Sequence, residues 1–220
     1  MNWRLAWRAA LVATAVALAA CGSDSEKNGD GDETPVGEDR PGMGRDETAP
    51  QGTAFTLPTG LELEQPIKGY NDPDPTDCDD KYEDEAKGQG ELVRLCLIFR
   101  NTTNRPITVQ LPPGLVFVSR NRGVQNGMLA QRVTIEVPAG ERYFQPLFLY
   151  CVNSERQPSS PEENYDMGPV TQYADFQELF RLLENKTVTS TNFPVVQQAM
   201  TDLSDNLGLS ASIRARINAL

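Results

Sequence analysis

The 220-residue chain contains no histidine, and it has only five lysines, at positions 27, 68, 81, 87 and 186. The absence of histidine excludes Ser-His-Asp and Cys-His catalysis, histidine-ligated zinc and an imidazole proton shuttle. No glycine pattern follows a predicted strand and opens a helix, so a phosphate cradle is not expected either. We therefore predict that the protein is not an enzyme and holds no organic cofactor.

Positive charge is also in short supply, with 20 Lys and Arg against 31 Asp and Glu and a net charge of −11. Arg4 and Arg8 lie within the first twenty residues, so the remainder of the chain carries −13. A protein must neutralise phosphates with Lys and Arg to bind nucleic acid. We therefore predict no nucleic-acid partner.

Long apolar runs are missing, and the charge-free run over residues 9–19, rich in Ala, Leu and Val, has about half the length that a membrane-spanning helix needs. With Arg4 and Arg8 before it, this run is typical of an export signal over residues 1–20. Residues 18–21, Leu-Ala-Ala-Cys, resemble the lipobox of bacterial prolipoproteins. The resemblance implies that the signal is removed and that Cys21 is acylated. The acyl chains would then hold the mature protein to the lipid bilayer, since each buried methylene contributes about 0.8 kcal/mol.

The residue after the lipidated cysteine indicates which membrane of the cell envelope the protein is sent to. In enteric-type bacteria an aspartate there favours retention at the inner membrane, and Gly22 resembles the outer-membrane pattern instead. We expect a cell-envelope location, and the outer membrane if the organism is Gram-negative.

A polar, mostly acidic stretch follows Cys21. Such a composition buries too little apolar surface to offset the entropy of ordering, so we predict a disordered tether over residues 21–53. Thirty-odd disordered residues have a typical reach of roughly 30 Å.

The remaining residues, about 165, suit one ordinary domain. Short apolar segments separated by turn signals predict strands, at 92–99, 107–111, 115–118, 133–137 and 144–152. The segment 99–107, with the later turn at 138–140, resembles the immunoglobulin-like modules of bacterial surface proteins. We therefore predict a mainly β fold, with an antiparallel immunoglobulin-like β-sandwich over residues 54–170.

The last fifty residues have helical periodicity. Apolar side chains recur on one face over 173–183, over 196–207 and over 213–220, with Pro194 suited to a first turn and Ser210 to an N-cap. We predict that residues 171–220 form helices that pack on the sandwich.

Three cysteines follow Cys21, and an oxidising compartment permits a disulfide between two of them. Cys78 lies in a polar loop where a free thiol would be exposed, so we predict a Cys78–Cys151 disulfide. Cys96–Cys151 is the alternative. Against it, Cys96 alternates in phase with Arg94 and Arg100, which places it on an outward face.

The acidic loop offers a candidate calcium site. Oxygen-bearing side chains occupy positions 1, 3, 5, 9 and 12 of a helix–loop–helix calcium loop: Asp72, Asp74, Thr76, Asp80 and Glu83. Position 6 is Asp77 rather than glycine, and Pro73 and Pro75 stiffen the turn. A solvated acidic loop is the main interpretation, and bound calcium is the alternative.

Between residues 94 and 142 the net charge is positive, because this stretch contains seven arginines and only two acidic residues, Glu136 and Glu141. A guanidinium group grips carboxylate or phosphate in bidentate fashion. Arg105, Arg120 and Arg122 are therefore candidates for docking an envelope protein or an anionic glycan. The alternative is that they are ordinary surface arginines, some of them facing the acidic loop.

These observations favour a membrane-anchored envelope lipoprotein that acts as a non-catalytic binding or scaffolding module. Two alternatives stay open. One is a calcium-dependent adhesion or stability module built on residues 72–85. The other is a small hydrolase that uses carboxylates alone, which would need two of them about 5–9 Å apart.

Overall fold

A computed structural model describes residues 39–70, 78, 86–140 and 142–220. Within these residues the chain is mainly β with C-terminal helices, as predicted. The strands are β1 (Leu61–Leu63), β2 (Ile67–Gly69), β3 (Lys87–Gly88), β4 (Val93–Asn101), β5 (Ile107–Leu111), β6 (Leu115–Ser119), β7 (Gly127–Met128), β8 (Val133–Val137), β9 (Arg142–Cys151) and β10 (Asn164–Val170). The helices are α1 (Ala174–Leu183), α2 (Phe193–Ser204) and α3 (Ala211–Asn218).

Six of the strands close into a barrel-like sheet. Going round it, β4 pairs with β2, β2 with β10, β10 with β6, β6 with β7, β7 with β9, and β9 with β4, each pair antiparallel. β1 also pairs with β4, and the short β3 runs parallel to β9. A two-sheet immunoglobulin-like sandwich is therefore not confirmed. Strand spacing in the sequence indicates antiparallel strands but does not fix which of them pair.

The core lies inside this sheet. Val93, Leu95, Leu97 and Phe99 alternate along β4 and are all buried in it. The separate two-stranded sheet of β5 and β8 adds its own buried side chains to the same core, among them Val109. The alternation places Cys96 on the outer face of β4, as the sequence indicated.

The disulfide joins Cys78 to Cys96, with the two Cα atoms 5.5 Å apart. The predicted Cys78–Cys151 bond is wrong, and so is the alternative Cys96–Cys151. Cys151 belongs to the core inside the sheet, whereas Cys96 lies on the outer face together with Cys78, Tyr70 and Ile98. The two cysteines are 18 positions apart in the sequence. Closing a loop of that length stabilises a domain by about 3 kcal/mol in the chain-entropy model.

Residues 39–53, which we name the strap, pack on the domain instead of continuing the tether. Met43 is fully buried among the side chains of the helices. The Gly44 N–H donates to the Val152 carbonyl (2.8 Å), and Thr53 exchanges two backbone hydrogen bonds with Val170. The predicted tether boundary at residue 53 is therefore wrong. The prediction used the average composition of residues 21–53, which is polar. That average gives no sign of one buried methionine or of backbone hydrogen bonds to the domain.

Arg40 fixes the start of the strap to the helices. Its guanidinium donates to both carboxylate oxygens of Asp175 (2.8 and 2.5 Å) and to the Asn206 side chain (3.0 Å), and it lies 4.5 Å from the ring centroid of Tyr173. Burial alone would raise the pKa of Asp175, but the hydrogen bonds and positive charge of Arg40 outweigh it and lower that pKa. Asp175 therefore stays ionised in this contact.

A buried amide cluster holds the next part of the strap. The Asn126 and Asn153 side chains both donate to the Gly42 carbonyl, at 2.9 and 3.1 Å. The backbone N–H of Asn126 donates to Asn153 Oδ1 (2.8 Å), and that of Asn153 to Gln125 Oε1 (3.1 Å). Buried polar groups that satisfy one another in this way specify a single arrangement of the chain.

The helices cover the outer face formed by β6, β7 and β9, with Val116, Met128 and Tyr150 beneath them. The predicted apolar faces are the buried ones, except that Leu207 follows the end of α2 and is 45% exposed. Ser210 caps α3 by accepting from the Ile213 N–H, as predicted. No helix in the described part of the chain has the length and apolar character to cross a membrane.

Replacing Met43 by alanine tests the assignment of the strap. Loss of a fully buried side chain should lower the free energy of unfolding by about 2–5 kcal/mol. The matched control, Leu207→Ala, removes an exposed apolar side chain and should change it by less than about 0.5 kcal/mol. Urea unfolding of both variants measures this, and equal effects would show that the strap adds nothing to the core.

Candidate functional site

Two cavities lie where the segment between β7 and β8 passes α1, and we call the pair the groove. The smaller has a volume of about 370 Å³, and its lining includes Lys87, Phe148 and Tyr150. The larger has a volume of about 530 Å³ and is lined mainly by α1 and the residues after it. Gln131 and Arg132 line both cavities. Each volume is in the range typical of small-molecule sites.

Gln131 fastens the sheet to the end of α1 and so shapes the groove. Its side-chain amide donates to the carbonyls of Leu183 (2.6 Å) and Lys186 (2.9 Å). The Leu183 carbonyl also accepts from the Lys186 N–H (3.0 Å), so Gln131 adds a side-chain bond to the turn that ends α1. Val133, two positions on, is buried in the core at the start of β8. Arg132 lies between these two fixed residues and is exposed on the groove.

Three cations border the groove: Lys87 from β3, Arg132 before β8 and Arg181 from α1. All three are exposed, and no carboxylate of the described residues lies within ion-pair distance of any of them. Arg181 is in the last turn of its helix, where the dipole favours a positive charge. The one acidic lining residue is Glu184. In a chain this acidic, the groove is a local concentration of positive charge.

Tyr150 adds a buried donor to the lining of the smaller cavity. The residue is 4% exposed, and its hydroxyl has no hydrogen-bond partner among the described residues. Burial raises the pKa of Tyr150 well above its usual value, so the phenol keeps its proton at every ordinary pH. A buried donor without a partner costs about 1–3 kcal/mol. A ligand atom that accepts from it would recover that cost.

The predicted partner-binding arginines do not line the groove. Arg120 donates to both carboxylate oxygens of Asp166, at 2.9 and 2.6 Å, and Arg122 lies 3.4 Å from a carboxylate oxygen of Glu47. Arg105 is exposed on the loop between β4 and β5. Two of the three thus contact acids of their own chain, and partner binding at these residues stays a prediction.

Two other predicted sites lie outside the described residues. These are the lipidation site, Cys21, and the calcium loop with Asp72, Asp74, Thr76, Asp80 and Glu83. In the part of the chain that the structure does describe, no three potential metal-ligating side chains form a group. Calcium binding therefore stays a prediction.

Two half-buried carboxylates bear on the hydrolase alternative. Burial, and after it the charge of Asp39, raises the pKa of Asp205, and burial raises the pKa of Asp202. Asp205 accepts from the Ser154 hydroxyl and Asp202 from the Gln198 amide, both at 2.7 Å. Neither residue lines the groove. The Asp205 carboxylate accepts a hydrogen bond from the segment after β9, and the Asp202 carboxylate accepts one from within α2.

Sequence reasoning missed the groove because its cations come from distant segments. The sequence shows Arg132 only as one of seven arginines in a positively charged region. No motif in the sequence marks Lys87 or Arg181 as binding residues. Comparison with protein-family models, with curated proteins and with solved structures finds no match to this chain.

Replacing Tyr150 by phenylalanine tests whether its hydroxyl is held at a cost. Removing a buried donor without a partner should raise the free energy of unfolding by about 1 kcal/mol in the absence of ligand. Thermal melting of the two proteins in an anion-poor buffer measures this. A loss of stability would mean that the hydroxyl already has a stabilising role in the folded chain.

Proposed function

We propose that this chain is a lipid-anchored protein of the cell envelope whose folded domain binds an anionic ligand in the groove without transforming it. The observation that carries the proposal is a set of three exposed cations without an ion pair among the described residues: Lys87 and Arg132 line the smaller cavity, and Arg132 and Arg181 line the larger one. Exposed arginines elsewhere in the domain, such as Arg120 and Arg142, pair with carboxylates of the chain. Positive charge left unpaired on the wall of a cavity suits an anion.

Binding is favoured over catalysis by the chemistry of the lining. The chain has no histidine to act as a general base. A carboxylate mechanism needs a pair of acids, and the groove is lined by one, Glu184. The guanidinium groups of Arg132 and Arg181 and the ammonium of Lys87 are donors that hold an anion in place.

The proposed anchor rests on the lipobox resemblance at residues 18–21. A protein held at the envelope by acyl chains meets ligands that belong to that surface. The strap adds to the argument, because it fixes the chain on the domain from residue 39 onward. The span between Cys21 and the packed domain is then residues 22–38, with a typical reach of about 23 Å if it is flexible.

Changing the lipidation site tests the anchor. Cys21→Ser should abolish incorporation of a palmitate analogue and leave the protein either as an uncleaved precursor or without lipid. Metabolic labelling followed by electrophoresis measures both effects. The matched control is Cys21 intact with Gly22→Ala, which keeps the lipobox and should label normally. Normal labelling of Cys21→Ser would refute the anchor.

Neutralising the groove tests the anion site. In the lipid-free Cys21→Ser protein, adding Lys87→Gln and Arg132→Gln together should weaken binding of inorganic phosphate at least tenfold, since each lost charge-assisted hydrogen bond contributes about 1.5–3 kcal/mol. Chemical-shift titration of amides near residues 130–134 measures the affinity.

Arg216→Gln is the matched control for that titration. Arg216 is an exposed arginine of α3 that does not line either cavity, so its loss changes the net charge without touching the groove. Phosphate affinity should stay within twofold of the parent. Equal weakening by Arg216→Gln would mean that phosphate senses only the overall charge.

A further inference from the structure

The larger cavity differs in chemistry from the smaller one. Arg132 and Arg181 supply its charge, but the rest of its lining is neutral or acidic. Gln177 and Asn185 present amides, and Glu184 presents a carboxylate. Pro113 and Phe180 supply apolar surface. Pro113 and Phe180 offer no hydrogen bond to an anion, and the Glu184 carboxylate repels one.

That mixture matches a sugar better than a bare anion. A sugar has several hydroxyl groups, each of which donates and accepts, together with C–H faces that pack on apolar side chains. Amide and carboxylate side chains satisfy hydroxyl groups in both directions. Asn185 and Glu184 are exposed, and the side-chain nitrogen of Gln177 donates to the Thr171 carbonyl (2.9 Å).

The net charge of the whole protein further restricts the class of anionic ligand that suits the groove. A chain at −11 repels a dense polyanion at long range, although salt confines that repulsion to about 8 Å. A ligand with one negative group per sugar or fewer escapes most of it. The wall of the groove is also too polar for an acyl chain, because Arg181 of α1 and Glu184 just after that helix are both charged.

Building on the proposed function, we propose that the groove binds a sugar that carries an anionic substituent. The anionic group occupies the smaller cavity, with Lys87 and Arg132 as its donors. The adjoining sugar ring occupies the larger cavity, against Pro113 and the amide side chains. Arg132, which lines both cavities, contacts the anionic group and the ring together. The partner is therefore an anionic glycan.

The experiment compares three probes on the lipid-free full chain by calorimetry and chemical-shift titration. They are mannose 6-phosphate, trigalacturonate and inorganic phosphate, with mannose and the carboxyl-reduced trisaccharide as neutral controls. At least one anionic sugar should bind ten times more tightly than inorganic phosphate and than its own neutral control.

Asn185→Ala separates the two cavities. This exposed side chain should contribute to the ring and not to the anionic group, so its loss should bring the ratio of sugar-phosphate to phosphate affinity toward one. Lys87→Gln with Arg132→Gln should weaken every anionic probe, and Arg216→Gln should change none. Heat denaturation of each variant confirms that it is folded.

The outcomes distinguish this inference from the proposed function. Binding of inorganic phosphate with no gain from either sugar would overturn the glycan and leave the anion site intact. Failure of all anionic probes would overturn both. Tighter binding of an acidic peptide, such as tri-aspartate, than of either anionic sugar would also overturn the glycan and favour a protein partner.

Discussion

The pairing of β4 with β9 is the constraint on which the rest of the molecule depends. It joins eight residue pairs, from Val93 opposite Leu149 to Arg100 opposite Arg142, and it closes the sheet on itself. Closure leaves the six strands without a free edge between them. It also gives the sheet one inner face for the core and an outer face that must be covered. The helices cover part of that outer face, and Tyr70 and Cys78 cover another part.

The groove follows from how the outer face is covered. The helices pack over the β6, β7 and β9 side, and Gln131 ties the end of α1 to the sheet. Between these contacts remains space that the apolar side chains do not fill. Its walls carry Lys87, Arg132 and Arg181 without an ion pair among the described residues, while acids elsewhere pair with Arg40, Arg120 and Arg214. The proposed anion site therefore depends on where the charges lie and not on the total charge of the chain.

The sequence predicted local features well and long-range ones poorly, for physical reasons. Alternation along residues 93–101 correctly placed Cys96 outward, because a strand repeats every two residues. The same reasoning could not identify Cys78 as its partner, since a bond between a loop and a strand leaves no periodic trace. The strap was taken for tether because composition averages over Arg40 and Met43. The groove escaped notice because Lys87, Arg132 and Arg181 meet only after the sheet closes.

The strap has a mechanical consequence. If drag pulls on the domain while its N-terminal side is held, the load enters at residue 39 and reaches Arg40 first. Arg40 passes it to Asp175 in α1 and to Asn206, which follows α2, and the amide cluster at Gly42 passes the remainder to the sheet. A pull applied at residue 39 is therefore shared between two helices and the sheet before it reaches β1, the first strand of the chain.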